Sequence, residues 1–127
     1  MNAKTLMTVI GVITLIEGFG FYFGAEAVTS GGFPQLSGNA LQVGAIMHEA
    51  LASIMIGMGC LILFLRNNTG EAAKNSLMGI ALANLVFLVG GSIHLVNSPA
   101  KPPLPALGLM LVIAIACFVS AKKVEVE

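Results

Sequence analysis

Four long apolar runs separated by short polar stretches organise this chain. Residues 6–24 read LMTVIGVITLIEGFGFYFG and residues 41–65 read LQVGAIMHEALASIMIGMGCLILFL. Residues 76–96 read SLMGIALANLVFLVGGSIHLV and residues 104–121 read LPALGLMLVIAIACFVSA. A membrane-crossing helix needs about 20 mostly apolar residues, so each run is long enough to span a bilayer. A lone strand in lipid would leave its backbone groups unpaired, whereas a helix satisfies them internally. The pattern therefore predicts an all-α fold, a polytopic membrane protein built as an antiparallel up-down four-transmembrane-helix bundle. Residues 1–127 form one four-span domain in this reading. The connections agree: GAEAVTSGGFPQLSGN reads as a Gly/Ser/Thr-rich loop, RNNTGEAAKN as a polar turn, and NSPAKPPLPA as a proline-rich bend. Pro105 fits the first turn of the fourth helix, where its missing N–H costs nothing. Short loops of this kind make consecutive helices antiparallel neighbours.

Composition supports the lipid environment. Apolar residues make up 57% of the chain and charged residues 9%, against roughly 25% charged in a soluble domain. With zero formal net charge and no basic cluster, nucleic acid is not an expected partner. Cys60 and Cys117 lie in apolar runs without metal or redox spacing and read as small core residues.

Lys and Arg predict the orientation. Lys4, Arg66, Lys74, Lys122 and Lys123 fall on one side of the four spans, and Lys101 alone on the other. Both termini are then cytoplasmic in the cell (inner or plasma) membrane, and the 24–40 and 97–103 connections face outward. Lys4, the first run and AEA at 25–27 resemble a signal peptide, but the run is long for one and carries Glu17, so cleavage is not expected. Phe19, Phe21, Tyr22, Phe23 and Phe33 crowd the outward end as an aromatic belt.

The polar residues inside the spans carry the candidate chemistry. Glu17 lies in the first, His48 and Glu49 in the second, Asn84 and His94 in the third. At about 1.5 Å rise per residue, Glu17 and His48 each lie roughly 10 Å below the outward end, with His94 nearer that surface. Glu17 shares a helix face with Thr14, Gly20, Phe21 and Gly24, which predicts a helix contact on that side. Ala45, Ala52 and Gly59 form a small-residue stripe between the directions of His48 and Glu49. His94 shares its face with Ala83, Phe87, Gly90 and Gly91, and Asn84 is expected to hydrogen-bond another helix.

Desolvation disfavours charge on any such group, and no Lys or Arg lies inside a span. The carboxyls are then protonated, paired with protonated histidines, or bridged by a cation. Glu17, His48, Glu49 and His94 are thus candidate ligand- or proton-binding residues. They are also candidate ligands of a metal, since His and Glu suit zinc, iron or manganese, and a haem is a further cofactor they could hold. The adjacent His48-Glu49 departs from the Glu-x-x-His spacing of di-metal bundles. Interhelical hydrogen bonding alone is the competing structural role.

The four spans and a glycine pattern such as GMGCLILFLRN resemble the small DoxX-like and related four-span membrane proteins. The resemblance covers the whole chain, carries no diagnostic motif, and implies a fold but no site residues. The small multidrug transporters are similar in span number, and Glu17 would match their first-span carboxylate; this chain lacks Trp and the aromatic and glycine signature of their later spans. Three functions follow as expectations. The first is an outward-facing Glu/His pocket that binds a small or lipophilic ligand or supports a membrane complex. The second is a proton-coupled transporter using Glu17 or Glu49 and working as a homodimer. The third is a membrane enzyme with a Glu/His acid-base or metal site.

Overall fold

The computed structural model describes residues 2–97 and 104–124, apart from the side chains of His94 and Leu95. The chain is all-α among the described residues. Its helices are α1 (Ala3–Phe23), α2 (Ala25–Gly32), α3 (Gly38–Leu65), α4 (Gly70–Asn97) and α5 (Leu104–Ala121). Four of them, all but α2, are long and apolar enough to cross a membrane. The chain is a small multi-pass membrane protein.

Two compact units divide it: residues 11–61, and residues 1–10 together with 62–127. In the first unit α1 and α3 run antiparallel. Gly59 lies against Leu15 and the Gly11 carbonyl, while Gly18 lies against Ile56 and the Ala52 carbonyl. Position thus falls along α3 as it rises along α1. The approach is close: a β-carbon added at Gly18 would stand 2.8 Å from Ile56 Cγ1, and one at Gly59 2.8 Å from Leu15 Cγ. In lipid the hydrophobic effect does not drive helices together, so packing between surfaces of small residues must do it. Two residues of the stripe expected on α3 form that contact, Ala52 fully buried and Gly59 buried, while Ala45 is only half-buried.

The matching face of α1 is not the expected one. It runs through Gly11, Leu15 and Gly18. Gly20 has nothing near its missing side chain. Both glycine-bearing faces satisfied the small-residue rule, and the partner's register chose between them.

In the second unit, Leu6, Met7 and Ile10 of α1 join Ile62, Leu77, Ile80, Ala81, Cys117 and Ala121 in one buried cluster. Gly91 of α4 meets Leu107 of α5, while Leu77 and Ala81 share the cluster with Cys117 and Ala121. These two helices are therefore antiparallel as well. Pro105 is the second residue of α5, as its missing N–H favours. Cys117 is a core residue as expected, but Cys60 is exposed. Asn84 donates to the Ile80 carbonyl of its own helix at 2.9 Å rather than across to a neighbour.

The 24–40 connection differs most from expectation, because Ala25–Gly32 is helical. Gly24 (φ −101°, ψ 13°) interrupts the helical geometry, yet the hydrogen bonds Gly24 N–H to Gly20 and Val28 N–H to Gly24 continue across it. A side chain at Gly24 would run into the Gly20 carbonyl at 2.8 Å. Glycine there lets the chain bend while α1 hands over to α2. The Phe33 N–H caps the far end on the Thr29 carbonyl at 2.9 Å.

The close approach at Gly18 makes a prediction. Gly18→Val overpacks the α1–α3 contact and is expected to lower stability by about 1–3 kcal/mol, read by unfolding in detergent. Gly57→Val, where a side chain meets open space, is the control and should change little. Equal effects at the two sites would contradict the contact.

Candidate functional site

The site grows from one missing side chain. Gly44 of α3 faces Thr29 of α2, and a β-carbon at Gly44 would stand 2.6 Å from Thr29 Cγ2. Glycine is therefore what lets α2 lie against α3. Ala25 and Thr29, one turn apart, are the buried face of α2, and Thr29 is 1% exposed. A hydroxyl so enclosed needs a partner. Thr29 Oγ1 donates to the Ala25 carbonyl at 2.7 Å, and lies 3.0 Å from His48 Nδ1.

His48 Nδ1 also lies 3.0 Å from the Gly44 carbonyl oxygen. That oxygen can only accept. The Thr29 hydrogen is engaged with Ala25, so Thr29 Oγ1 also accepts from the ring. Both neighbours therefore require a hydrogen on Nδ1. The second ring nitrogen, Nε2, has no hydrogen-bond partner among the described residues. In the neutral ring it is a lone-pair acceptor. His48 is half-buried, so its imidazole is oriented at one nitrogen and available at the other.

The other sequence candidates are placed as follows. Glu49 is half-buried, and its backbone carbonyl accepts from Ser53 at 2.9 Å. Glu17 is half-buried beside Gly18. Neither carboxylate has a hydrogen bond or ion pair among the described residues.

Glu17 was expected level with His48. Its neighbour Gly18 packs at Ala52 and Ile56, one to two turns along α3 from His48, or roughly 6–12 Å. Helical side chains lean toward their own N-terminus, so in these antiparallel helices the two lean apart. His94 is in the last two turns of α4, and its side chain lies outside the described residues. Among the described residues no three His, Cys, Asp or Glu side chains converge as metal ligands.

A half-open cleft of about 380 Å³ lies at the same end of this unit, lined by Glu26, Gly38, Asn39, Leu41, Gln42 and Ala45. Glu26 precedes Thr29 by nearly one turn of α2, and Ala45 precedes His48 by nearly one turn of α3. The cleft thus stands one turn nearer the helix ends than the Thr29–His48 contact. Nearby on α1, Phe19 and Phe23 stack at 6.4 Å and Tyr22 meets Phe23 edge-on at 5.5 Å. Phe23 is 82% exposed, as a ring at a membrane interface is expected to be.

Sequence reasoning found His48 but missed Thr29 and Glu26, since both fall in a segment that reads as loop. A signal was present: Ala25 and Thr29 at i, i+4 form a small face, and Glu26 suits the first turn of a helix.

Comparison with known families, characterised proteins and solved structures returns no match. The resemblance to DoxX-like proteins is thus one of span number and helical architecture.

The fit of α2 on α3 is testable by rescue. Gly44→Ala should destabilise the protein by about 1–3 kcal/mol through overpacking. Adding Thr29→Ser, which removes Cγ2 and keeps the hydroxyl, should restore most of the loss. Failure of the second change to rescue the first, in thermal unfolding of the purified protein, would contradict the contact.

Proposed function

We propose that the chain is a small protein of the cell membrane whose α2 end faces outward and binds a small or lipophilic ligand. His48 is its polar centre, with Glu49 beside it. The supporting observation is the asymmetry of the His48 ring, with Nδ1 held by Thr29 and the Gly44 carbonyl and Nε2 without a partner among the described residues. A histidine serving only to join helices gains most when both nitrogens are bonded, because an unmet polar group in a low-dielectric interior is costly. An oriented ring with one nitrogen open is instead preorganised for something that arrives. The distribution of Lys and Arg supports the outward direction of this end. Glu17, deeper along α1, and His94, near the end of α4, are proposed as separate ligand- or proton-binding residues. A DoxX-like relationship fits this reading without adding to it.

The test is native mass spectrometry of the protein released gently from its own membrane. Wild type is expected to carry a bound small-molecule mass that His48→Leu loses while its helix content is kept and its stability falls by no more than about 1 kcal/mol, the scale of a lost hydrogen bond. Wild type released without any such mass would overturn the reading.

A second reading, proton-coupled transport, is favoured by one observation: Glu17 and Glu49 are half-buried carboxylates within apolar helices, with no protein partner among the described residues. Ionisable groups at such depth are functional by default. In proteoliposomes an imposed pH gradient should then be discharged by a transported solute, and Glu17→Gln or Glu49→Gln should block the discharge. Unaltered discharge in both variants would remove this reading.

A further inference from the structure

The cleft at the α2 end has a chemical character of its own. Of its lining residues, Glu26 alone carries a formal charge, Asn39 and Gln42 add carboxamides, and Leu41 and Ala45 supply apolar surface. Glu26 is exposed in the first turn of α2 and has no ion pair or side-chain hydrogen bond among the described residues.

No neutralising charge is available from its own unit. Residues 11–61 contain Glu17, Glu26 and Glu49 and not one Lys or Arg. Every Lys and Arg of the protein lies in residues 1–10 or 62–127. A carboxylate with no ion pair among the described residues, set beside carboxamides and aliphatic surface, complements a positively charged group that carries its own carbon.

We propose that this cleft binds an organic ammonium group, with Glu26 as its counter-ion, Asn39 and Gln42 accepting from or packing on its polar edge, and Leu41 and Ala45 covering its methylenes. The proposal rests on the reading that the α2 end is a ligand site, and it names the ligand's class. About 380 Å³ is near the lower limit of ligand pockets, which run roughly 300–1,000 Å³, so the bound group is small. A half-open cleft also leaves room for an attached chain to extend out of it. The ammonium could therefore come from a free amine or from a lipid headgroup.

The site differs from a surface carboxylate in what surrounds it. A lone Glu in the first turn of a helix is stabilised by the helix dipole and needs no ligand. That role predicts no selectivity among added ions. A counter-ion in a lined cleft predicts preference for cations that carry carbon.

The experiment uses the full chain in nanodiscs of phosphatidylglycerol, which contains no ammonium. Binding of benzylammonium, which has N–H groups to donate as a phosphatidylethanolamine headgroup does, is measured by calorimetry, with sodium chloride and inorganic phosphate as controls. Wild type is expected to bind it, and Glu26→Gln, an isosteric change at an exposed position, to bind at least about tenfold more weakly, the scale of one charge-assisted contact. Gln42→Ala should weaken binding less. Phosphatidylethanolamine added to the disc should compete if the natural source is a headgroup, and leave binding unaltered if it is a free amine. No binding by wild type, equal binding by Glu26→Gln, or binding of phosphate in place of the ammonium would overturn the proposal. If wild type carries a bound mass lost in His48→Leu but ignores the ammonium, the ligand class fails and the ligand site stands. If no mass is bound and the ammonium is ignored as well, both fail.

Discussion

Everything distinctive at the α2 end depends on the approach of Thr29 to Gly44. No residue but glycine fits opposite Thr29 Cγ2 at that spacing. Once α2 lies there, the Thr29 hydroxyl is shut away from solvent and has to be satisfied internally. It donates backward to Ala25 and accepts from His48, and the ring is thereby fixed by one nitrogen. A steric allowance in the backbone of α3 becomes an orientation of an imidazole one turn further on. The chain from sequence to chemistry is short here: glycine, contact, buried hydroxyl, oriented ring.

The rest of the molecule obeys the economy of a membrane solvent. Most long side chains on the spans, such as Ile54, Phe64, Leu82 and Val86, are exposed and suited to lipid. In residues 11–61 the buried contacts are small, Gly18, Ala52 and Gly59, whereas in the other unit Leu6, Met7, Ile10, Ile62, Leu77 and Ile80 are buried beside Ala81, Cys117 and Ala121. A soluble protein would bury more of its large apolar residues. Here lipid solvates them as well as a core would, and what holds helices together is how closely backbones approach.

That economy explains what could be read from the chain in advance. The four spans were legible because length and apolar character are all a bilayer demands of a helix. The seam on α3 was legible because Ala52 and Gly59 repeat at the spacing of a contact face. Its partner on α1 was not, since Gly11 and Gly18 on one side and Gly20 and Gly24 on the other are equally small, and only the register of α3 distinguishes them. Asn84 turned back to Ile80 because its own helix offers a carbonyl at once. The α2 helix was hidden because Gly24, Ser30, Gly31 and Gly32 give it the composition of a turn, while its two buried positions, Ala25 and Thr29, are small. His48 stood out by its cost in an apolar run, but the residue that gives it a defined orientation did not.

The level assigned to Glu17 moved for the same reason. Counting from span ends places residues to within a turn or so, and the Gly18 contact with Ala52 and Ile56 fixes what counting could not. The ionisable residues of residues 11–61 then separate into a held imidazole, a cleft carboxylate and two carboxylates without partners among the described residues. The held imidazole is the feature on which the functional reading turns, and a double-mutant cycle between Thr29→Val and His48→Ala tests it most directly. With stability measured for both single variants and the double, a coupling of about 1 kcal/mol is expected for the lost hydrogen bond. Effects that add to within about 0.3 kcal/mol would mean the two residues do not hold one another, and the oriented ring would have no basis.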